Sequence, residues 1–160
     1  MIFEKSKGFT LIELVVTVAI IGVLSTVALP LAELSVQHNK EQELHLALRQ
    51  IREGIDAYKQ AYDDGHMMHA TDKSGYPASL QDLVTGVVDV KNPTLQKKIY
   101  FLRSVPRDPF ATDSSKSNED TWGKRSYESG ADEPQEGDDV FDVYSLDPGT
   151  GLNGIPYSKW

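Results

Sequence analysis

The stretch that decides the fold is residues 7–34, which read KGFTLIELVVTVAIIGVLSTVALPLAEL. From residue 9 onward its only formal charges are Glu13 and Glu33, and the run is longer than the roughly 20 residues that a helix needs to cross a hydrocarbon core. A carboxylate at membrane depth costs on the order of 2.5–3.5 kcal/mol, so Glu13 indicates a functional residue unless it lies at the interface. The sequence therefore predicts one membrane-spanning helix with an acid near its start.

Composition limits the rest of the chain to one further domain. The chain has 160 residues, of which 39% are hydrophobic and 25% are charged, which leaves room for one soluble domain of about 100–125 residues. The net charge is −8 and the 16 basic residues form no long cluster, which argues against binding to nucleic acid or to anionic lipid. The absence of cysteine excludes disulfides, thiolate metal sites and thiol nucleophiles.

Two interpretations of the apolar run are open, a cleaved secretory signal and a retained anchor. The apolar region of a signal spans about 7–15 residues, whereas this run continues to Leu34, so its length favours retention. If the run is retained, Lys5 and Lys7 place the N-terminus in the cytoplasm and the rest of the chain beyond the membrane.

The start of the run resembles the N-terminus of the type IV pilin and pseudopilin superfamily. Members have a short basic leader that ends in Gly, then Phe, and a Glu four residues later; Gly8, Phe9 and Glu13 match. Pro30 stands where many members carry a helix-kinking proline. The resemblance implies that a prepilin peptidase cuts between Gly8 and Phe9, methylates the new Phe9 amine and leaves the helix in place.

The resemblance also assigns subunit assembly to Phe9, Glu13 and Pro30. In the family's filaments the acid of an incoming subunit neutralises the Phe amine of its neighbour, because an unpaired charge in the filament core is costly. Two other roles for Glu13 are open: an interfacial carboxylate, or a partner for the amine of its own chain. Pro30 could mark a stretch that melts in the filament, or be a proline that a membrane helix tolerates.

The helix is predicted to continue beyond the membrane, over residues 9–63. Apolar side chains at intervals of three and four residues form one helical face: Leu44, Leu48, Ile51, Ile55, Tyr58 and Tyr62. A dimeric coiled coil is the alternative, but the stripe covers only about three heptads and Gly54 interrupts it, which favours packing on a small sheet. The sequence Asp-Asp-Gly at residues 63–65 is predicted to end the helix.

Shorter elements are predicted in the rest of the chain, two helices followed by an antiparallel strand pair: residues 79–85, 93–102, 125–128 and 140–145. Ser79 and Asp82 form a capping box for the first helix, and an acidic turn at residues 130–139 separates the strands. Residues 155–157 could add a third strand.

The predicted fold class is α+β and pilin-like, with a long N-terminal helix packed on a small antiparallel sheet domain. Four segments follow from this prediction: a leader at residues 1–8, a membrane and filament-core helix at 9–34, the extramembrane half of the helix at 35–63, and a globular domain at 64–160.

The globular domain resembles the major pseudopilins of type II secretion systems. Their Tyr-Pro, short helix and Leu-Pro-x-Asp-Pro-Trp-Gly are matched in two places: Tyr76-Pro77 and Pro106-Arg107-Asp108-Pro109. Phe110 follows here, and Trp122-Gly123 comes only after a polar insertion at residues 111–121, which is predicted to be a mobile loop. The stretch VFDVYSL at residues 140–146 resembles the family's last strand, and the lack of cysteine agrees with this family.

Calcium is a candidate cofactor by the same resemblance, because the family's loop after the last strand binds it through a Leu carbonyl and Asp side chains. Leu146 matches the carbonyl donor, and Asp147 matches approximately, since the loop is shortened and the second Asp has no equivalent. Thr150 and Asn153 could supply further oxygens, as a hard cation requires. The alternative is a Gly/Pro turn with a solvated acid.

No catalytic residue is predicted. The histidines are scattered, and His66 and His69 lie in a predicted loop just beyond Asp-Asp-Gly, where at most adventitious metal binding is expected. Asp108 and Asp113 show no spacing that marks an acid/base pair and are expected to be solvated. The chain has no Gly-rich phosphate loop.

The sequence is therefore interpreted as a structural subunit of a type II secretion pseudopilus that polymerises through its N-terminal helix and helps to export folded proteins. Its expected partners are further copies of itself, minor pseudopilins, the inner-membrane platform and the prepilin peptidase. Its expected location is the bacterial inner membrane, with the C-terminal domain in the periplasm. A subunit of a type IV pilus or DNA-uptake filament, and a monomeric anchored binding domain, are the alternatives.

Overall fold

The computed structural model describes residues 8–68, 74–91 and 97–160. Its helices and strands are α1 (Leu11–Asp63), α2 (Leu80–Thr85), β1 (Val87–Val88), β2 (Lys98–Ile99), β3 (Trp122–Arg125) and β4 (Asp142–Ser145). Two 3-10 turns cover Glu119–Thr121 and Tyr157–Lys159. The chain divides into two compact units, Met1–Asn39 and Lys40–Trp160. These elements confirm the predicted α+β class with a long N-terminal helix.

Helix α1 agrees with the prediction to within two residues at its start and ends at the predicted residue. In the described part of the chain it is the one helix whose length and apolar character suffice to cross a membrane. The helix continues through Pro30, although a proline there removes one backbone donor from the hydrogen-bond ladder.

The C-terminal end of α1 is a Schellman motif. The His66 N–H donates to the Ala61 carbonyl at 2.9 Å, and the Gly65 N–H donates to the Tyr62 carbonyl at 2.9 Å. Gly65 has a φ of +76°, a conformation that favours glycine. The sequence Asp63-Asp64-Gly65 therefore ends the helix as predicted.

The core of the second unit forms around the apolar stripe of α1. Leu44, Leu48, Ile51 and Ile55 are fully buried. They belong to one cluster with side chains from the rest of the unit: Leu80, Leu83, Leu102, Val105, Trp122, Val140, Val143 and Tyr157. The stripe is thus covered by the chain's own domain, which confirms packing on that domain over a coiled coil.

Two small antiparallel sheets complete the second unit. In the first, Val87 of β1 lies opposite Ile99 of β2. In the second, β3 and β4 pair over four residues, from Trp122 opposite Ser145 to Arg125 opposite Asp142. The predicted strand pair is confirmed, but with different bounds. Strand β3 covers residues 122–125 where 125–128 is predicted, because the backbone turns at residues 126–129. Strand β4 covers residues 142–145 where 140–145 is predicted.

The helix predicted for residues 93–102 is wrong for the residues that can be checked. Residues 93–96 lie outside the described part of the chain, and Lys98–Ile99 is strand β2. The N–H groups of Phe101 and Leu102 both donate to the Leu83 carbonyl at 3.0 Å, which ties this segment to the end of α2. Tertiary pairing overrides local helix propensity here. Leu102 packs against Gly54, where an added Cβ would lie 3.0 Å from the Leu102 Cγ.

The other local predictions have mixed outcomes. The predicted first short helix is α2, and the Asp82 carboxylate accepts the Ser79 N–H at 3.1 Å. The third strand at residues 155–157 is wrong: only a single bridge joins Thr150 to Pro156, and a 3-10 turn follows. The insertion at residues 111–121 holds no α-helix or strand, and it ends in the 3-10 turn Glu119–Thr121.

Candidate functional site

The predicted processing site lies just before α1. Gly8 and Phe9 precede the first helical residue, Leu11, and the Phe9 side chain is 89% exposed. The predicted cleavage between Gly8 and Phe9 therefore falls in non-helical backbone next to an uncovered aromatic ring. The rest of the leader, residues 1–7, lies outside the described residues.

Glu13 and Thr10 form a capping box at the start of α1. The Glu13 Oε2 accepts the Thr10 N–H at 2.9 Å and the Thr10 hydroxyl at 2.8 Å. In return, the Glu13 N–H donates to the Thr10 Oγ1 at 3.3 Å. This arrangement satisfies donors that have no partner within the helix and places a carboxylate at its positive end. Sequence reasoning missed it, although Thr-x-x-Glu is the pattern that predicts it.

The first unit presents an uncovered apolar helix surface. Large apolar side chains are exposed at most positions from Leu11 to Leu24: Leu11, Ile12, Leu14, Val15, Val16, Val18, Ile20, Ile21, Val23 and Leu24. A soluble monomer rarely exposes a contiguous patch of this kind, which marks a surface that contacts lipid or another chain.

The turn before Pro30 carries two hydroxyls that bond back to the helix. The Ser25 hydroxyl donates to the Ile21 carbonyl at 2.8 Å, and the Thr26 hydroxyl donates to the Val23 carbonyl at 2.7 Å. Back-bonding of this kind often bends helices. The hydroxyls therefore find acceptors within α1, in the segment where the missing Pro30 donor already weakens the ladder.

In the second unit, two motifs that are distant in the sequence meet at Asp108. Its side chain is 2% exposed; its Oδ2 accepts the Ser145 hydroxyl at 2.6 Å and its Oδ1 accepts the Phe110 N–H at 2.8 Å. The prediction of a solvated Asp108 is therefore wrong, because the carboxylate ties the Asp-Pro turn to the end of β4.

Asp113, the other acid considered with it, is exposed as predicted, and hydrogen bonds from Ser115 lower its pKa.

The polar insertion returns the Trp-Gly pair to the Asp-Pro turn. The Trp122 indole N–H donates to the Pro106 carbonyl at 2.8 Å, and the Asp108 N–H donates to the Thr121 hydroxyl at 3.2 Å. Gly123 is required next to them, because a Cβ there would lie 2.4 Å from the Tyr144 ring. The motif that the insertion interrupts in sequence is thus contiguous in space.

The insertion itself is tied to the turn. The Arg107 guanidinium donates to the Lys116 carbonyl at 2.9 Å and to the Asp113 carbonyl. The Asn118 side-chain amide donates to the Val105 carbonyl at 2.9 Å. The segment predicted as a mobile loop is therefore held by Arg107, which precedes it, and by Asn118, which lies within it.

The candidate calcium residues bond to their own backbone. The Asp147 Oδ1 accepts the Gly149 N–H at 2.8 Å, and the Asn153 Oδ1 accepts the Ile155 N–H at 2.9 Å. These are Asx turns, whereas calcium takes 6–8 oxygen ligands, with carboxylates prominent among them. Asp147 is the sole acid in residues 146–160, so the donors present, with Leu146 and Thr150, do not fit the ion.

Other metal-ligating residues do not gather either. Within residues 8–68, 74–91 and 97–160, no cluster of three or more His, Asp or Glu side chains could hold a metal ion. His66 instead pairs with the buried Asp89, at 2.9 Å between Nδ1 and Oδ1. His69 lies outside the described residues.

Comparison with known proteins identifies the family. The model of the prokaryotic N-terminal methylation motif matches residues 4–29. The type II secretion system core protein G of Klebsiella pneumoniae is 30% identical over 69% of this chain and 73% of its own length. The protein of the same name from Escherichia coli K12 is 30% identical over 69% and 70%. The chain belongs to the type II secretion core protein G family, the major pseudopilins.

A third relative extends the match over nearly the whole pseudopilin. The type II secretion system core protein G of Pectobacterium carotovorum subsp. carotovorum is 26% identical over 95% of this chain and 80% of its own length. No solved structure gives a significant match. The resemblance drawn from Gly8, Phe9 and Glu13 is thereby confirmed at the level of the family.

Three polar residues of this pseudopilin were missed from the sequence. The sequence predicts a solvated Asp108 and gives no role to Glu41 and Arg52. Glu41 is buried and Arg52 is half-buried in the structure, and both bond from α1 to the C-terminal part of the chain. Their partners are about 90 or more positions away, so no local pattern indicates them.

Proposed function

We propose that this pseudopilin is a structural, non-enzymatic subunit of a type II secretion pseudopilus. The observation that carries the proposal is the uncovered apolar surface of α1 from Leu11 to Leu24, preceded by the Thr10–Glu13 capping box. Copies of this helix would bury that surface against one another in a filament core. The filament would then help to move folded proteins across the outer membrane.

Processing and location follow from the same segment. A prepilin peptidase would cut after Gly8 on the cytoplasmic side and methylate the Phe9 amine. The basic leader supports a cytoplasmic N-terminus under the positive-inside rule, which puts the domain of residues 64–160 in the periplasm. Minor pseudopilins and the inner-membrane platform would be the partners for assembly.

Assembly would exchange the partner of Glu13. In the single chain its carboxylate bonds to Thr10. After cleavage the Phe9 amine is a cation, and an incoming subunit would present Glu13 to the Phe9 amine of its neighbour. Removing one partner of a buried pair typically costs 3–5 kcal/mol, so this pairing would select one vertical register. Pro30 would let the turn before it adapt to the filament, because that turn lacks one backbone hydrogen bond.

The test compares secretion and filament formation in strains that carry single variants. Gly8→Ala should block leader removal and prevent both the pseudopilus and export of the secreted proteins. Glu13→Gln should allow leader removal but prevent filament formation, because it removes the charge. Glu33→Gln is the matched control, since Glu33 is an exposed acid on the same helix; it should behave as wild type.

Three outcomes would contradict the proposal. Loss of surface fibres with secretion intact would indicate a type IV pilus or DNA-uptake filament. The relatives do not favour this alternative, because each is named as a type II secretion protein. No change with Gly8→Ala would indicate a monomeric anchored domain. Equal effects of Glu13→Gln and Glu33→Gln would remove the specific role of Glu13.

A further inference from the structure

A buried acid on α1 binds the C-terminal loop, which we define as residues 146–160. This acid, Glu41, is only 7% exposed. Its Oε1 accepts the Leu152 N–H at 2.9 Å and the Tyr157 hydroxyl at 2.9 Å. A buried carboxylate is tolerated only when it is paired or hydrogen-bonded, so the loop and this acid stabilise each other.

Aromatic stacking holds the same loop against the same face of the helix. The buried Tyr157 ring stacks on Phe110 with 4.3 Å between centroids, and it meets Trp160 edge-on at 5.1 Å. Trp160 in turn stacks on His45, with 4.1 Å between centroids. His45 lies four residues after Glu41, so both residues contact the loop from one face of α1.

A cationic residue of α1 fastens the two ends of the loop region. The Arg52 guanidinium donates to the Val143 carbonyl at 3.1 Å and to the Trp160 carbonyl at 2.7 Å. Its Nε also pairs with the Asp142 carboxylate at 2.8 Å. Arg52 thus bonds both to the strand before the loop and to the last residue of the loop.

The loop holds few ligands for a cation. Its sole acid, Asp147, accepts the Gly149 N–H, and the backbone closes on itself through Tyr157 N–H to Gly149 carbonyl at 3.1 Å and Gly151 N–H to Ile155 carbonyl at 2.9 Å. These hydrogen bonds hold the loop closed, whereas a calcium site would hold it through several charged oxygens around the ion.

We propose that the C-terminal loop of this pseudopilin is closed by Glu41, acting through Leu152 and Tyr157, and that the loop folds without calcium. Glu41 is in this sense a positioning residue for residues 146–160. The inference concerns the folding of the single subunit, so it does not rest on the proposed role in secretion.

The test measures hydrogen exchange of the full chain in detergent micelles, with excess EGTA and with millimolar calcium. In wild type, the amides of Gly151, Leu152 and Tyr157 should exchange at the same rate under both conditions. Glu41→Gln should speed their exchange by on the order of tenfold or more in both, because it weakens two charge-assisted hydrogen bonds. Glu43→Gln is the matched control, since Glu43 is an exposed acid two residues away, and should have no effect.

A second variant keeps the test decisive if Glu41→Gln unfolds the domain. Tyr157→Phe removes the hydrogen bond from the Tyr157 hydroxyl to Glu41 and keeps the aromatic stack, so it should speed loop exchange several-fold. The Gly123 and Tyr144 amides in the β3–β4 sheet serve as the reference for global unfolding. Protection of the wild-type loop that requires calcium would overturn the proposal, as would loop exchange in both variants equal to that of Glu43→Gln.

Discussion

The contact between Asp108 and Ser145 should be among the strongest single side-chain contacts in the second unit. The carboxylate is almost fully buried, and its distance of 2.6 Å from the Ser145 hydroxyl is that of a charge-assisted O–H···O⁻ bond. Bonds to charged groups contribute about 1.5–3 kcal/mol. We therefore expect Ser145→Ala and Asp108→Asn each to lower the free energy of unfolding by about 2 kcal/mol.

A double-mutant cycle isolates this bond from its neighbours. Ser145→Ala also removes the acceptor of the Asp147 N–H, at 3.2 Å, but that loss is the same in both backgrounds and cancels. Asp108→Asn keeps an oxygen for the Phe110 N–H, so that contribution cancels too. The double variant should therefore be more stable than the sum of the single effects predicts, by about 1.5 kcal/mol.

Urea unfolding of the full chain in micelles, followed by tryptophan fluorescence, measures these differences, because Trp122 is buried beside the contact. Asp132→Asn is the control, since Asp132 is an exposed acid; its effect should stay within about 0.5 kcal/mol. A coupling energy below about 0.5 kcal/mol would refute the reasoning, because independent sites add to within that amount.

Three further variants test separate parts of the structure. Thr10→Val should cost the start of α1 about 0.5–2 kcal/mol and speed amide exchange in its first turn, because the capping box is lost; unchanged exchange would contradict this. Gly123→Ala should lower the free energy of unfolding by about 1–3 kcal/mol, and Tyr144→Ala in the same chain should relieve the clash. By NMR, the Asp113 carboxyl should titrate below its ordinary pKa of 3.8. Ser115→Ala should raise that pKa, because it removes a hydrogen bond to the carboxylate. In the wild type, the bonds from Ser115 to ionised Asp113 stabilise the folded chain above pH 3.8, and this stabilisation is lost as pH falls through the folded-state pKa.

Features that depend on near neighbours were predictable from the sequence. The Ser79–Asp82 box, the glycine after α1 and the apolar stripe of α1 each involve residues within a few positions of one another. The Thr10–Glu13 box belongs to the same class and could have been predicted, since its pattern lies within four residues. For such features, backbone geometry and side-chain reach decide the outcome before tertiary structure forms.

Features that depend on distant partners were not predictable. The bond between Asp108 and Ser145 spans 37 positions, and burial of an acid is ordinarily disfavoured, so a surface assignment was reasonable. The sequence predicts a helix around Leu102, but the Leu83 carbonyl holds the backbone in another conformation. In both cases the energy comes from packing that a single sequence does not reveal.

Two acids on α1 illustrate how one helix can separate assembly from folding. Glu13 is exposed and bonds to Thr10, three residues away, so another chain can replace its partner at the cost of one helix cap. Glu41 is buried and bonds to residues 111 and 116 positions away, so losing these bonds loosens the C-terminal loop. Substitution of Glu13 should therefore prevent filament formation in a folded subunit, whereas substitution of Glu41 should loosen the subunit before assembly begins.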